Sequence, residues 1–183
     1  MPNYRRVRLP GAAVFITCVT FNRVPVFADP FACQLLYQVW NVVAKRKPFT
    51  TTAFCLLPDH FHTLITLPEN DVDYMIRIRE IKRLFTRYYQ ASTGKTALRS
   101  QSYVNKQEAT IWQRRFWEHT IKDDRDFEHH FNYIHYNPVK HGLVTDVEKW
   151  EWSSFHRYVR LGIYTPDWCS KLNFNDGDYK YGE

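Results

Sequence analysis

Two histidines separated by one apolar residue, His60-Phe61-His62, follow the run Leu56-Leu57-Pro58-Asp59. On an extended strand, side chains alternate with a period of two, so both imidazoles reach one face and Phe61 the other. Imidazoles so placed can share one cation. They could equally be a pair of surface or core-edge histidines, so the spacing needs a second signal. That signal is the run Phe131-Asn132-Tyr133-Ile134-His135-Tyr136-Asn137-Pro138-Val139-Lys140-His141-Gly142. Phe127, Phe131 and Ile134 have helical spacing and read as a buried stripe. Tyr133 lies away from that stripe, and Asn137 follows one turn later on the same side as Tyr133.

Taken together, these residues suggest phosphodiester chemistry. A divalent cation held by His60, His62 and the side-chain oxygen of Asn137 would polarise a scissile phosphate. Tyr133 would attack phosphorus and hold the 5′ end as a phosphotyrosine, releasing a 3′ hydroxyl. A phenol with a pKa near ~10 is a usable attacker and also a reversible leaving group. Mixed imidazole and amide-oxygen ligation suits Mg²⁺ or Mn²⁺, whereas an all-histidine set would point to zinc. Tyr136 is the rival nucleophile. His129 and His130 could approach the site, for instance to orient the phosphate. Asp59 or Glu118 could orient the histidines from behind. His119, His135, His141 and His156 read as structural or surface residues.

The elements that must position these groups read as follows. Residues 12–20 are rich in β-branched and aromatic side chains and predict a strand. Asp29-Pro30 opens a helix to about Lys45. Residues 51–57 and 60–67 predict two further strands around a Pro58-Asp59 turn. Asp71 or Asp73 caps a helix to about Gln90, residues 91–110 read as a long loop, and a short strand falls within 111–121. Asp123 or Asp124 caps a last helix that should end near Asn137, because Pro138 follows. The order β-α-β-β-α-β-α predicts an α+β, ferredoxin-like sandwich with an antiparallel sheet and helices on one or both faces. With no internal repeat, the 183 residues read as one domain. It would carry a basic N-terminal arm at about 1–10 and a C-terminal extension at about 145–183 packed on it.

A net charge of +6 favours a polyanionic partner only mildly, and its distribution says more. Arg79, Lys82, Arg83 and Arg87 share one helical face without an acid. Four cysteines with no CxxC pair argue against a disulfide framework or cysteine zinc site, and Cys18 and Cys55 fall inside core strands. No apolar run reaches the roughly 18 residues needed to span a bilayer, and no signal-peptide pattern opens the chain. The expectation is a cytoplasmic protein without a membrane partner.

The His60-Phe61-His62 run after Leu-Pro-Asp resembles the HUH motif (His, hydrophobe, His) of single-tyrosine HUH nucleases. The run from Tyr133 to Val144 is similar to the tyrosine-bearing motif of the REP-associated tyrosine transposases. The likeness continues at Tyr4-Arg5-Arg6, Pro10-Gly11, Trp112 to His119 and Trp152-Ser153-Ser154-Phe155, covering nearly the whole chain. The resemblance implies an HUH endonuclease fold and a relative of the insertion-sequence transposases. It implies binding of a single-stranded hairpin from repetitive extragenic palindromes (REP elements, including the paired BIME form) and of an adjacent tetranucleotide. Cleavage and rejoining would use Mg²⁺ or Mn²⁺, with His60 and His62 as metal ligands and Tyr133 as nucleophile. Asn137 stands where related transposases place Gln or another residue. Members resemble stand-alone enzymes, which implies a monomer, whereas the insertion-sequence relatives are dimers that exchange helices, so a dimer stays open as the alternative.

In such an enzyme Arg5, Arg6 and Arg8 could form an arm along a groove or hairpin backbone. Arg79, Arg83 and Arg87 could track phosphates, and Arg114 or Arg115 could read a guanine edge. Two other classes are weighed against this one. A non-catalytic single-strand-binding module would keep the basic surfaces but has no use for converging His60, His62 and Tyr133. A hydrolase using activated water would want more carboxylates than Asp59 and Glu69 near the histidines.

Overall fold

The computed structural model describes residues 9–94, 111–168 and 181. The expected N-terminal arm with Arg5, Arg6 and Arg8, most of the expected 91–110 loop, and Cys169 lie outside the described residues. Strand β1 (Ala13–Val19) leads through two short turns to helix α1 (Pro30–Arg46). Asp29 caps this helix by accepting the Phe31 amide, and Pro30 sits where its missing N–H costs nothing. The hairpin β2 (Thr50–Leu56) and β3 (His60–Thr66) follows, then α2 (Tyr74–Thr93), β4 (Trp117–Thr120), α3 (Asp124–Lys140) and the short α4 (Phe155–Arg160). All strand pairs are antiparallel, in the order β2-β3-β1-β4. This is the expected α+β class and the ferredoxin-like order.

The period of two divides the sheet into two chemically different faces. Val14, Ile16, Cys18, Phe61 and Ile65 face α1 and α2. Phe15, Cys55 and Leu64 face α3 and the C-terminal segment. Phe61, between the two histidines, is fully buried against Trp40, Phe54 and Trp112. Truncating such a phenylalanine costs ~3–5 kcal/mol, so this packing pins the strand that carries the histidines. The outer edge of β2 is closed by chain from further on. Leu56 N–H donates to the Trp152 carbonyl at 2.9 Å and Ser154 N–H to that of Phe54 at 2.8 Å. This cover removes an otherwise sticky edge.

Helix α3 departs from the sequence expectation at its end. It does not stop at Asn137 but runs through Pro138 to Lys140. A proline one turn from the terminus forfeits a single backbone bond, and the end is secured otherwise. Leu143 N–H reaches back to the Pro138 carbonyl and Gly142 N–H to that of Val139, both at 2.9 Å. Gly142 takes φ +66°, the left-handed conformation such a cap requires. Among the described residues, no helix is long and apolar enough to cross a membrane.

His135 ties α3 to the C-terminal segment through Ser154 Oγ at 2.7 Å and Tyr164 Oη at 3.2 Å. Burial strips the imidazolium of water and holds its pKa down at about 3, despite a backbone bond to Phe131 that favours the charged form. In the unfolded chain the ring titrates near ~6.5, so the unfolded state binds the extra proton between these values and stability falls as pH drops through that window. The thermal midpoint should therefore be lower at pH 5 than at pH 7. His135→Gln, which keeps a hydrogen-bonding group, should flatten the dependence; an unchanged slope measured by calorimetry would contradict the assignment.

Candidate active site

The turn between β2 and β3 places His60 at the first position of its strand, with its carbonyl accepting from the Leu57 amide at 2.8 Å. His60 and His62 are both buried, and their ring centroids lie 4.8 Å apart, nearly perpendicular. His60 Nδ1 lies 2.6 Å from an Asp59 carboxylate oxygen, and Arg23 donates to the other oxygen at 2.9 Å. Burial alone would raise the Asp59 pKa. The bonds from His60 and Arg23 outweigh it and hold the carboxyl at about 2. An ionised carboxylate only accepts, so a neutral His60 carries its proton on Nδ1 and leaves Nε2 without one. Arg23 reaches Asp59 from a turn in which Asn22 and Arg23 both have φ +52°, a left-handed pair costing ~1–2 kcal/mol per residue.

Thr17 performs the same service for His62. Its hydroxyl donates to the Tyr181 carbonyl and lies 2.8 Å from His62 Nδ1. The hydroxyl has one proton, so the ring donates on this side, and a neutral His62 carries no proton on Nε2. Two imidazoles with matching tautomers thus present unprotonated nitrogens on one face, the state a metal ligand requires. His60 Nε2 is buried and has no hydrogen-bond partner among the described residues.

Helix α3 lies over this face and contributes a polar stripe. Tyr133 and Asn137 are both fully buried, which corrects the expectation that Tyr133 stands outside the packed surface of its helix. The helix is buried on two sides. Phe131, Ile134 and His135 meet Phe155, Tyr158 and Tyr164, while His130, Tyr133 and Asn137 meet the sheet. The Tyr133 ring lies 5.4 Å from that of His62. Lys140, two turns further on, donates to the Tyr133 oxygen at 3.0 Å and stands over its ring at 4.6 Å. Tyr181 stacks on the other side of that ring, with centroids 3.3 Å apart and planes within 5°. The Tyr181 hydroxyl bonds His129 Nε2.

Four groups here escape a reading of the sequence: Lys140, Tyr181, Thr17 and Arg23. Lys140 has a signal, since a residue seven after Tyr133 returns to its helical face. Tyr181 and Arg23 have none, being distant in sequence from what they touch. Asp59 is where the sequence pattern asks for an orienting carboxylate. Glu118 is not: it pairs with Ile16 and therefore faces α1 and α2 across the sheet. Tyr136, the rival nucleophile, packs partly buried into the aromatic core beside the C-terminal segment.

A second cluster on the same face holds His119, Asp126 and His130, with potential ligand atoms within 4.8 Å of one another. Asp126 accepts from His119 Nε2 at 2.7 Å and from the Lys122 amide at 2.9 Å, bonds that keep its pKa low against the opposing effect of burial. His130 Nδ1 is committed to the Asp126 backbone carbonyl at 2.8 Å. The two rings stack with planes within 12° at 4.6 Å, so their in-plane lone pairs do not converge. We read this cluster as a brace joining β4 to α3.

The basic residues sit elsewhere. Arg79, Arg83 and Arg87 are exposed on α2, behind the sheet as seen from Tyr133, and Arg114 and Arg115 are exposed just before β4. Lys82 donates to the Gln113 carbonyl at 2.7 Å, joining the two groups into one surface. That surface does contain an acid: Glu80 holds Arg83 in an ion pair of 2.7 Å. Arg77 is buried, bonding Asp71 and the Pro48 carbonyl, and serves the fold.

Comparison with known proteins places this geometry. The family model described as IS200-like transposase matches residues 11–137. A Haemophilus influenzae protein assigned to the REP-associated tyrosine transposases is 44% identical over 168 residues, spanning 92% of this chain and 93% of its own. The REP-associated tyrosine transposase of Escherichia coli K12 is 37% identical over 183 residues, spanning 100% of this chain and 98% of its own. A solved structure of a REP-associated tyrosine transposase bound to a REP hairpin is similar with a TM-score of 0.81 at 37% identity, over 100% of this chain and 98% of that one. The chain belongs to the IS200-like transposase family and, within it, to the REP-associated tyrosine transposases.

Proposed function

We propose that this chain cleaves and rejoins single-stranded DNA at a REP hairpin with its adjacent tetranucleotide, through a 5′-phosphotyrosine on Tyr133. The observation that carries the reading is the meeting of two imidazoles bare at Nε2 with a buried tyrosine whose oxygen already accepts from an ammonium group. His60 and His62 would hold a divalent cation, Mg²⁺ or Mn²⁺, with Asn137 as the oxygen donor. The buried, unsatisfied His60 Nε2 fits this role. When bound, the ion supplies Lewis-acid polarisation of the scissile phosphate.

The chain's own residues do the rest. Asp59 and Thr17 fix both tautomers, so no ligand has to lose a proton. Lys140 stabilises negative charge on the Tyr133 oxygen as the phenol proton leaves to solvent. The oxygen attacks phosphorus, the bond from phosphorus to the 3′ oxygen breaks, and that oxygen takes up a proton. Attack by a 3′ hydroxyl on the phosphotyrosine reverses the step and rejoins the strand. One chain carries both the histidines and the tyrosine, which supports a monomer as the working unit. Exposed Arg79, Arg87, Arg114 and Arg115 would meet hairpin phosphates or a base edge, with Arg5, Arg6 and Arg8 as a further arm; Arg83 contributes less while it pairs with Glu80.

Incubation with a 3′-labelled single-stranded REP hairpin and Mn²⁺ should give a covalent protein–DNA adduct that is lost with EDTA and in Tyr133→Phe. Cleavage surviving in Tyr133→Phe would hand the attack to water or Tyr136. Because Tyr181 covers the nucleophile, Tyr181→Ala should raise the initial rate of adduct formation several-fold; an unchanged rate would mean that Tyr181 is displaced without cost. Arg79→Ala with Arg87→Ala should weaken hairpin binding and reduce the salt slope by about 0.7–0.9 for each phosphate left unneutralised, while single-turnover cleavage at saturation stays unchanged. A slope equal to wild type would remove α2 from the DNA surface.

A further inference from the structure

Resting on the metal-dependent reading above, we propose that His141 supplies a third imidazole to the cation held by His60 and His62. Tyr133, Asn137 and His141 fall at successive i+4 steps of α3, so one helical stripe presents nucleophile, amide oxygen and imidazole in a row. The backbone continues that stripe past Pro138, since His141 N–H donates to the Asn137 carbonyl at 3.0 Å as the helix cap. The His141 ring comes to 5.2 Å from that of His60, at an interplanar angle of 68°. His60 and His62 themselves are 4.8 Å apart at 83°.

His60 thus has two imidazole neighbours. Both pairs meet at steep interplanar angles rather than stacking. The other histidine pair of similar spacing, His119 with His130, is a parallel stack and lacks this geometry. His60 Nε2 is buried and has no hydrogen-bond partner among the described residues. His141 is exposed, standing at the rim where α3 ends, so its ring can turn toward the ion as the ion enters. His60 and His62 would thus form the fixed floor and His141 the closing ligand.

The test uses Co²⁺ as probe on the metal-free full-length protein, reading affinity by calorimetry and coordination by visible absorption, without DNA. Wild type, His60→Ala, His141→Ala and the remote control His156→Ala are compared. His60→Ala should abolish binding. His141→Ala should raise the Kd at least tenfold and alter the intensity of the visible bands, while His156→Ala binds as wild type. If His141→Ala keeps wild-type affinity and spectrum while His60→Ala loses both, His141 is no ligand and only this inference falls. Wild type that binds no Co²⁺, or His60→Ala that still binds it, overturns the metal reading of His60 and His62 together with this inference.

Discussion

The interface between α3 and the sheet is a polar seam inside an otherwise apolar core, and the site depends on keeping that seam satisfied. Thr17, His60 and His62 face His130, Tyr133 and Asn137 across it, and every one of these side chains is buried. Buried polar atoms without partners cost on the order of 1–3 kcal/mol each, so the seam must be hydrogen-bonded in one particular way. Asp59 takes one imidazole proton and Thr17 the other, and each fixes a tautomer as a result. Satisfying the fold's own hydrogen bonds therefore leaves two unprotonated nitrogens on the same side. Under the proposed reading, ligand preparation is a consequence of burial rather than a separate device.

The same logic explains why α3 continues past its proline. Stopping at Asn137 would leave Lys140 and His141 on an irregular segment with no fixed relation to Tyr133. The left-handed cap at Gly142 returns amides to the Pro138 and Val139 carbonyls, so the last turn stays in register. Lys140 then sits on the tyrosine oxygen and His141 beside His60. One glycine and the tolerance of a helix end for one missing bond fix where Lys140 and His141 stand relative to Tyr133 and His60.

How much of this is legible in the sequence depends on the range of the interaction. The strands, the helix caps at Asp29 and Asp123, and the common face of His60 and His62 follow from local periodicity and capping chemistry, and each is present. The end of α3 is not legible, because the rule for the residue before proline is local, whereas the cap that overrides it lies downstream at Gly142. The burial of Tyr133 escapes for a different reason. One helix has two buried sides here, and a single apolar stripe reveals only the Phe131–Ile134 side. Polar residues on the other side look like surface until the facing strand is known to be polar too. Arg23 and Tyr181 reach the site from outside any local pattern, so only the folded chain brings them in.

The separation of the basic surface from Tyr133 constrains how any nucleic acid can be held. Arg79 and Arg87 lie on the layer behind the sheet, while Tyr133 lies in front of it, and layers packed on a sheet stand ~10 Å from it. A single straight strand lying against the site cannot also cover α2. A ligand with two arms can, one duplex and one single-stranded, with the duplex arm over α2 and the Arg114–Arg115 loop and the free arm passing β4 toward α3. Charge, under the proposed reading, supplies affinity on one layer and seam geometry supplies chemistry on the other. Under the proposed reading, the hairpin foot would lie at the edge of the sheet between them, where β4 is short and has a single pairing neighbour.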